Sequence, residues 1–367
     1  MRVIGHREWG VGQQFALWMT SPAALCGRNG SLAKNASVLR QTSSPATQGR
    51  GGLAPKCELR AVGPGRRRTW ALAGILCLAA AGACPGFSLW DWIVDRPPAT
   101  RLERELFQGI RYTRDARRAP RPLMIHVMRI DLDAPGLRFL VTPGDSSRGL
   151  EVRAATTLEF AQHYHPQIAI NGTAWTPCWW KTYTVNDFYP HSGDPVNVHS
   201  VAISRGRKYS DAESDWPVLC FTGTQACIVE GAFPPGTHEA LAGAPLLIRN
   251  GVVEDDLSEP DEPAPRTAAA LDRTARTLWL IVVDGRQPRY SEGMTLRELA
   301  NLLLSLGAWN ALNFDGGGSS TLVAQQDGEW QVLNSPIHTG IPRRQRPVAN
   351  HLGVYASPGA GKPRRAQ

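Results

Sequence analysis

Asp315 stands directly before three glycines, Gly316, Gly317 and Gly318, and three hydroxyl residues follow them, Ser319, Ser320 and Thr321. This combination suits an oxyanion. Glycine backbone can take positive φ and bring its N–H groups close to a ligand oxygen, and hydroxyls donate and accept beside it. The apolar runs Trp309 to Leu312 and Leu322 to Ala324 flank the segment, which therefore reads as a loop joining two strands. It lacks the Gly-Lys-Ser/Thr ending of a Walker loop and the G-x-G-x-x-G spacing of a dinucleotide fold, which excludes the two familiar modes of nucleotide binding.

A second carboxylate, Asp284, follows the apolar run Thr277 to Val283, and Arg266 precedes the run Thr267 to Leu271. With a turn at Asp272 to Arg276, antiparallel pairing of the two runs brings Arg266 and Asp284 to one sheet edge. There the arginine fork would hold a phosphate, with Thr267 beside it, and the carboxylate a sugar hydroxyl. Gln167 to Ile170 reads as a strand that ends at Asn171 and exposes it to a cleft. Between Trp175 and His199 lie three tryptophans, two tyrosines and one phenylalanine, together with His191, Asp194 and His199. The aromatic faces suit stacking on pyranose rings. The spacing of His191, Asp194 and His199 matches no helix or strand face, and His191 and Asp194 read as substrate-binding candidates; the sequence requires no cofactor and leaves a divalent metal open.

These residues need elements to hold them. Thr295 to Leu306 is the clearest helix, opened by a Thr295/Glu298 capping box, lined with leucines and stopped by Gly307. Thr156 to His163 reads as a shorter helix. Met124 to Ile130 and Leu137 to Val141 read as a strand pair turning at Ala134-Pro135-Gly136, and Asn350 to Tyr355 as a final strand. The expected fold is a mixed α/β (α+β) single domain with a largely antiparallel sheet and a few packed helices. Its expected extent is residues 123–357, followed by a polar tail at 358–367.

Several ordered blocks in this domain resemble the phosphodiester glycosidases: Ile170-Asn171-Gly172, Arg266-Thr267-Ala268, Val283-Asp284-Gly285, Gly293 to Leu296, and Asn313 to Ser319. Bacterial members carry similar versions of Tyr189 to Asn197 and of Arg346 to His351. The resemblance implies hydrolysis of sugar–phosphate diesters. Two positions depart from the family pattern: Thr173-Ala174-Trp175 after the Asn-Gly pair, and Arg286, where the animal relative has glutamine.

Charge and cysteine usage narrow the partners. The chain of 367 residues carries a formal net charge of +8, yet residues 1–68 hold 11 Lys and Arg against 2 Asp and Glu, and the remainder 29 against 30. The folded part is near neutral, which argues against nucleic acid. Residues 1–65 read as a disordered leader whose start is assigned too early. Residues 66–84 read as an export signal, with Arg66-Arg67-Arg68 before an apolar run from Trp70 to Ala83 and a candidate lipid-attachment site at Cys84. Residues 85–122 read as a linker. The expected location is periplasmic or extracellular, with membrane contact only through the signal or a lipid on Cys84. Of the seven cysteines, Cys178, Cys220 and Cys227 fall in the domain, and Cys220 with Cys227 could close a small hairpin or remain as two thiols.

The combined reading is an exported hydrolase that cleaves a sugar–phosphate diester on its glycosidic side. Asp315 and Asp284 are its catalytic candidates. Asn171, Arg266, Thr267, Gly316, Gly317, Gly318, Ser319, Ser320, His191 and Asp194 are its substrate-binding candidates. Two other readings stay open at this level: an exopolysaccharide-binding protein without turnover, and a metal-dependent phosphodiesterase built on His191, Asp194 and His199.

Overall fold

The computed structural model describes residues 94–145, 150–180, 187–211, 215–257 and 262–359. The expected leader, the export signal with Cys84, residues 85–93 and the tail from residue 360 lie outside them. Among the described residues no helix is long and apolar enough to cross a membrane.

The largest element is an antiparallel sheet of eight strands. Its order is Leu102–Phe107, Ile110–Arg117, Leu123–Asp131, Thr277–Val283, Arg266–Leu271, Asn310–Asn313, Leu246–Arg249 and Val252–Val253. The strand Thr277–Val283 is buried throughout, because both faces of the sheet are covered. Leu278, Leu280 and Val282 point into one core, and Trp279, Ile281 and Val283 point into another. The second core is closed by helix α2 (Leu296–Ser305) through Leu299, Ala300 and Leu303. Thr295 caps this helix in a reciprocal capping box with Glu298, as expected.

A second antiparallel sheet, of order Glu329–Val332, Leu322–Gln326, Ile168–Asn171, His351–Tyr355 and Arg138–Val141, supplies Ile168, Ile170, Leu322 and Leu352 to the first core. Helix α1 (Thr157–Tyr164), capped by Thr156 and Glu159, packs Phe160 and Ala161 against this sheet's other face. A third sheet contributes Leu219, Phe221 and Leu241 to the same core. Stacked antiparallel sheets with two α-helices among the described residues make the fold more β-rich than the balanced α+β class expected from sequence.

Two expectations need correction. The stretch expected as linker contains the strands Leu102–Phe107 and Ile110–Arg117, and the second pairs along its whole length with Leu123–Asp131. Both strands are rich in charged residues, and most of the side chains of Leu102–Phe107, the edge strand, are exposed or half-buried. Leu123–Asp131 and Arg138–Val141 are both strands, but they do not pair. Each edge of the first is occupied, by Ile110–Arg117 and by Thr277–Val283, so the chain crosses to the second sheet and joins His351–Tyr355. Cys220 and Cys227 face each other directly across the hairpin Val218–Thr222 and Gln225–Val229 as free thiols.

Candidate active site

The glycine loop leaves the strand Asn310–Asn313 and is fastened on two sides. Phe314 is buried in the first core and its N–H donates to Thr267 O at 2.8 Å, while Asp315 N–H donates to Gly172 O at 2.9 Å and Gly317 N–H to Pro265 O at 2.8 Å. Asn171 ties these pieces together. Its Nδ2 donates to Asp315 O at 2.7 Å, and its Oδ1 accepts from Thr267 Oγ1 at 2.9 Å and from Thr321 N–H at 3.1 Å. Asn171 and Thr267 are both buried. The expectation that Asn171 faces a cleft is therefore corrected: a strand end surrounded by the loop it supports is interior, and the polar groups of this pair are engaged in holding the loop.

Two guanidiniums lie over the loop. A Cβ built on Gly317 would stand 3.1 Å from Arg286 Nη1, and one on Gly318 only 2.6 Å from Arg346 Nη2. A Cβ on Gly316 would stand 2.8 Å from Pro265 O, against the neighbouring strand. Gly317 also takes φ of 60°. The three glycines thus make room for two arginines and a strand. Arg346 is further oriented by Nη1 to Ser319 Oγ at 3.4 Å, by Nε donating to His338 Nδ1 at 3.1 Å, and by stacking over Phe188 at 4.7 Å.

Asp315 is part-buried beside this pair. Removal from water pushes its carboxyl above the ordinary carboxylate range, and Arg346, the Ser319 hydroxyl, the Gly316 N–H and Arg286 act in that order to hold it down. Burial lowers the Arg346 guanidinium while Asp315 raises it. His338 is pushed down to about 2, by burial first and then by Arg346, Arg344 and His191, so it stays neutral and its Nδ1 serves as the acceptor for Arg346. Ser319 and Ser320 are buried, and the Ser319 hydroxyl is turned toward Asp315 and Arg346. These are the two hydroxyls expected from sequence to meet a phosphate, and in the folded chain both lie beneath the arginines.

Asp284 sits in a different environment. Its carboxylate accepts from His126 Nε2 at 3.2 Å, Tyr290 OH at 3.3 Å, Asn334 Nδ2 at 2.9 Å and Ser335 N–H at 2.9 Å and 3.0 Å, and its side chain has 0% exposure. Asn334 Nδ2 also donates to Ser320 O at 3.0 Å, so the network braces the far end of the glycine loop. Arg266 pairs with Val283 in register, as antiparallel pairing requires, but its guanidinium donates to main-chain oxygens, Nε to Met294 O at 2.8 Å and Nη2 to Glu262 O at 3.0 Å. The expected meeting of Arg266 and Asp284 at a ligand does not occur.

A cavity of about 200 Å³ lies beside Arg346, lined among others by Phe188, His191, Ser192, His338 and Arg344. His191 is exposed on its rim, with its N–H donating to Asp194 Oδ2 at 2.9 Å. Trp179 remains 42% exposed and stacks on Tyr189 with ring centroids 4.0 Å apart, whereas Trp175 is buried in a small core. Among the described residues no group of three His, Cys, Asp or Glu side chains is placed to hold a metal ion. His191, Asp194 and His199 do not assemble as the phosphodiesterase reading requires.

Sequence reasoning did not assign Arg286, Arg346 and His338 to the site. A signal for the arginines was present. Three consecutive glycines imply that something bulky approaches the loop, and Arg286 just after Asp284-Gly285 and Arg346 before Pro347 were the available candidates.

Residues 182–355 match the family model described as phosphodiester glycosidase, a span that includes the loop, both arginines and His338. An SPbeta prophage-derived uncharacterized protein of Bacillus subtilis is 29% identical over 212 residues, covering 51% of this chain and 28% of that protein. The N-acetylglucosamine-1-phosphodiester alpha-N-acetylglucosaminidase of Bos taurus is 30% identical over 146 residues, covering 32% of this chain and 27% of that protein. The chain therefore matches little more than a quarter of the length of either relative. The catalytic domain of the zebrafish enzyme of the same name superposes with a TM-score of 0.49 at 19% identity, covering 71% of this chain and 87% of that one.

Proposed function

We propose, for a chain that belongs to the phosphodiester glycosidase family, hydrolysis of a sugar 1-phosphodiester between the anomeric carbon and the phosphate oxygen. The observation that carries this reading is the convergence of Arg286 and Arg346 on the glycine loop beside Asp315. Two planar forks above a surface without side chains suit a tetrahedral phosphate, which they hold and then stabilise as it departs as an anion. A leaving group of this kind needs little help from an acid. Asp315 is free to act as a carboxylate, either on the positive charge that develops at the sugar carbon or on the attacking water. Asp284, sealed from solvent, positions the loop through Asn334 and touches no substrate. The cavity beside His338 and the exposed Trp179 receive the sugar and the group beyond it.

The basic and apolar run at residues 66–84 supports a working location outside the cytoplasm. Mass spectrometry of the native N-terminus tests this: the mature chain should begin near Cys84, and an intact leader on the active protein would contradict it.

Turnover of a panel of sugar 1-phosphodiesters in ¹⁸O-labelled water tests the reaction. The expected products are free sugar labelled at the anomeric carbon and an unlabelled phosphomonoester. Labelled sugar 1-phosphate would instead establish cleavage on the phosphorus side, and tight binding with no product would establish a binding protein.

A further inference from the structure

A second cavity, of about 240 Å³, lies away from the glycine loop and is lined by Arg96, Arg104, Arg114 and Arg343, with Gln331 and the carboxylate of Asp95. Its floor includes Tyr112, whose hydroxyl bonds His126 Nδ1 at 2.8 Å. His126 in turn meets Asp284, and Asn334 links Asp284 to Ser320 O. The cavity therefore sits at one end of this buried chain and the glycine loop at the other, which makes them separate places in the molecule.

The cavity concentrates positive charge. Arg104 Nη2 donates to Gln326 Oε1 at 2.6 Å, Arg114 to Thr100 O at 3.0 Å and Thr100 Oγ1 at 3.1 Å, and Arg343 to Val332 O at 3.2 Å and Asn334 O at 2.5 Å. All these acceptors are neutral, and among the described residues no carboxylate forms an ion pair with Arg104, Arg114 or Arg343. Arg96, Arg104 and Arg114 come from the first hairpin and the stretch leading into it, and Arg343 from a loop far along the chain, so the fold brings the four together. Arg96 is held over the Tyr290 ring at 5.2 Å. Like charges brought together against one acid raise the local potential, and guanidinium forks match the oxygens of a phosphate in pairs. The volume is below the range of roughly 300–1,000 Å³ typical of drug-sized ligands, which favours a small anion.

We propose that this four-arginine cavity is a binding site for a phosphate dianion, free or carried by a monosaccharide as a monoester. It is separate from the glycine-loop site and does not depend on the reaction assigned there.

Isothermal titration of the full chain with inorganic phosphate at low chloride tests this, alongside three variants. Arg104→Gln/Arg114→Gln removes two forks whose partners are neutral surface groups. Gln331→Glu adds an opposing carboxylate while leaving every arginine in place, and so covers the case in which the double variant fails to fold. Arg346→Gln alters the loop site alone. Phosphate should bind a site that survives Arg346→Gln and weakens at least tenfold in the folded cavity variants. Parallel titration with glucose 6-phosphate identifies the source: tighter binding of the ester marks a sugar phosphate, and tighter binding of the inorganic ion marks free phosphate. Phosphate binding that disappears in Arg346→Gln, or that is unchanged in the cavity variants, would overturn the proposal, as would no binding to the wild-type chain.

Discussion

Asp284 and Asp315 each follow a strand of the same sheet and precede a glycine, yet their surroundings give them opposite roles. Asp284 is enclosed by four donor residues and has no face toward solvent. Asp315 is part-exposed under two arginines, in a site that pushes its carboxyl up. A carboxylate satisfied on all sides is a structural anchor, because its charge is already balanced by fixed donors. One left part-buried at an energetic disadvantage can respond to charge that develops in a substrate. The difference lies in what the chain brings over each residue, which local sequence does not show.

Among the residues placed around the two carboxylates, the arginine roof is the part whose removal should have the largest effect. Arg346→Gln should lower kcat/KM by roughly 10- to 100-fold, the worth of a charged contact of about 1.5–3 kcal/mol. Steady-state kinetics on the best diester substrate checks this, and unchanged activity would remove Arg346 from the site. Gly318→Ala should have a smaller effect, about tenfold on activity with little change in melting temperature. The added methyl meets only the end of a flexible arginine, which must move aside. A large stability loss with normal kinetics would show that the glycine serves the backbone alone.

Arg266→Lys sharpens the comparison from the structural side. Lysine cannot reproduce the two donor directions toward Met294 O and Glu262 O, so stability should fall by about 1–2 kcal/mol with kinetics nearly unchanged. Denaturant unfolding and kcat/KM measured on one preparation decide it, and a kinetic loss without a stability loss would return Arg266 to the phosphate.

The pH dependence of stability follows from groups with displaced values. Burial lowers His338 to about 2 and His351 to about 3, so the unfolded chain takes up their protons first as pH falls. Their contribution is present above about 6.5 and is lost on acidification, at up to about 1.4 kcal/mol per pH unit for each. Asp315 and Glu239 act in the opposite sense, because burial raises both and the folded state holds their protons longer, but the two histidines are displaced to about 2 and about 3 and are expected to outweigh them. Melting temperature should therefore fall between pH 7 and pH 5, and a flat profile would contradict the buried, neutral state of both histidines.

Much of the scaffold was legible in the sequence because its signals are local. The Thr295/Glu298 capping box, the leucines of α2 and the two apolar runs around Asp272 to Arg276 each specify an element within a few residues. Long-range choices were not legible. The same apolar pattern that marks Met124 to Ile130 as a strand cannot say that Ile110–Arg117 and Thr277–Val283 take both of its edges. Site chemistry divided in the same way. Asp315 and its glycines were identified from their own spacing, whereas Arg286 and Arg346 lie on segments far apart in sequence and meet only through the packing of two sheets. Asn171, Thr267 and Arg266 were singled out as polar residues at strand ends, and only their hydrogen bonds show that they hold the loop and its neighbours.

The central claim, that Asp315 performs the chemistry while Asp284 holds the loop, is tested most directly by Asp315→Asn and Asp284→Asn measured side by side for kcat and thermal unfolding. Asparagine keeps the shape of each side chain and removes its charge. Asp315→Asn should lose more than about a hundredfold in kcat with a melting temperature equal to or above wild type, since it relieves a carboxylate disfavoured by its site. Asp284→Asn should lose roughly 3 kcal/mol or more of stability, because its amide places donors against the donors of His126, Asn334 and Ser335. A folded Asp315→Asn protein with wild-type turnover, or a stable Asp284→Asn protein with none, would contradict the assignment.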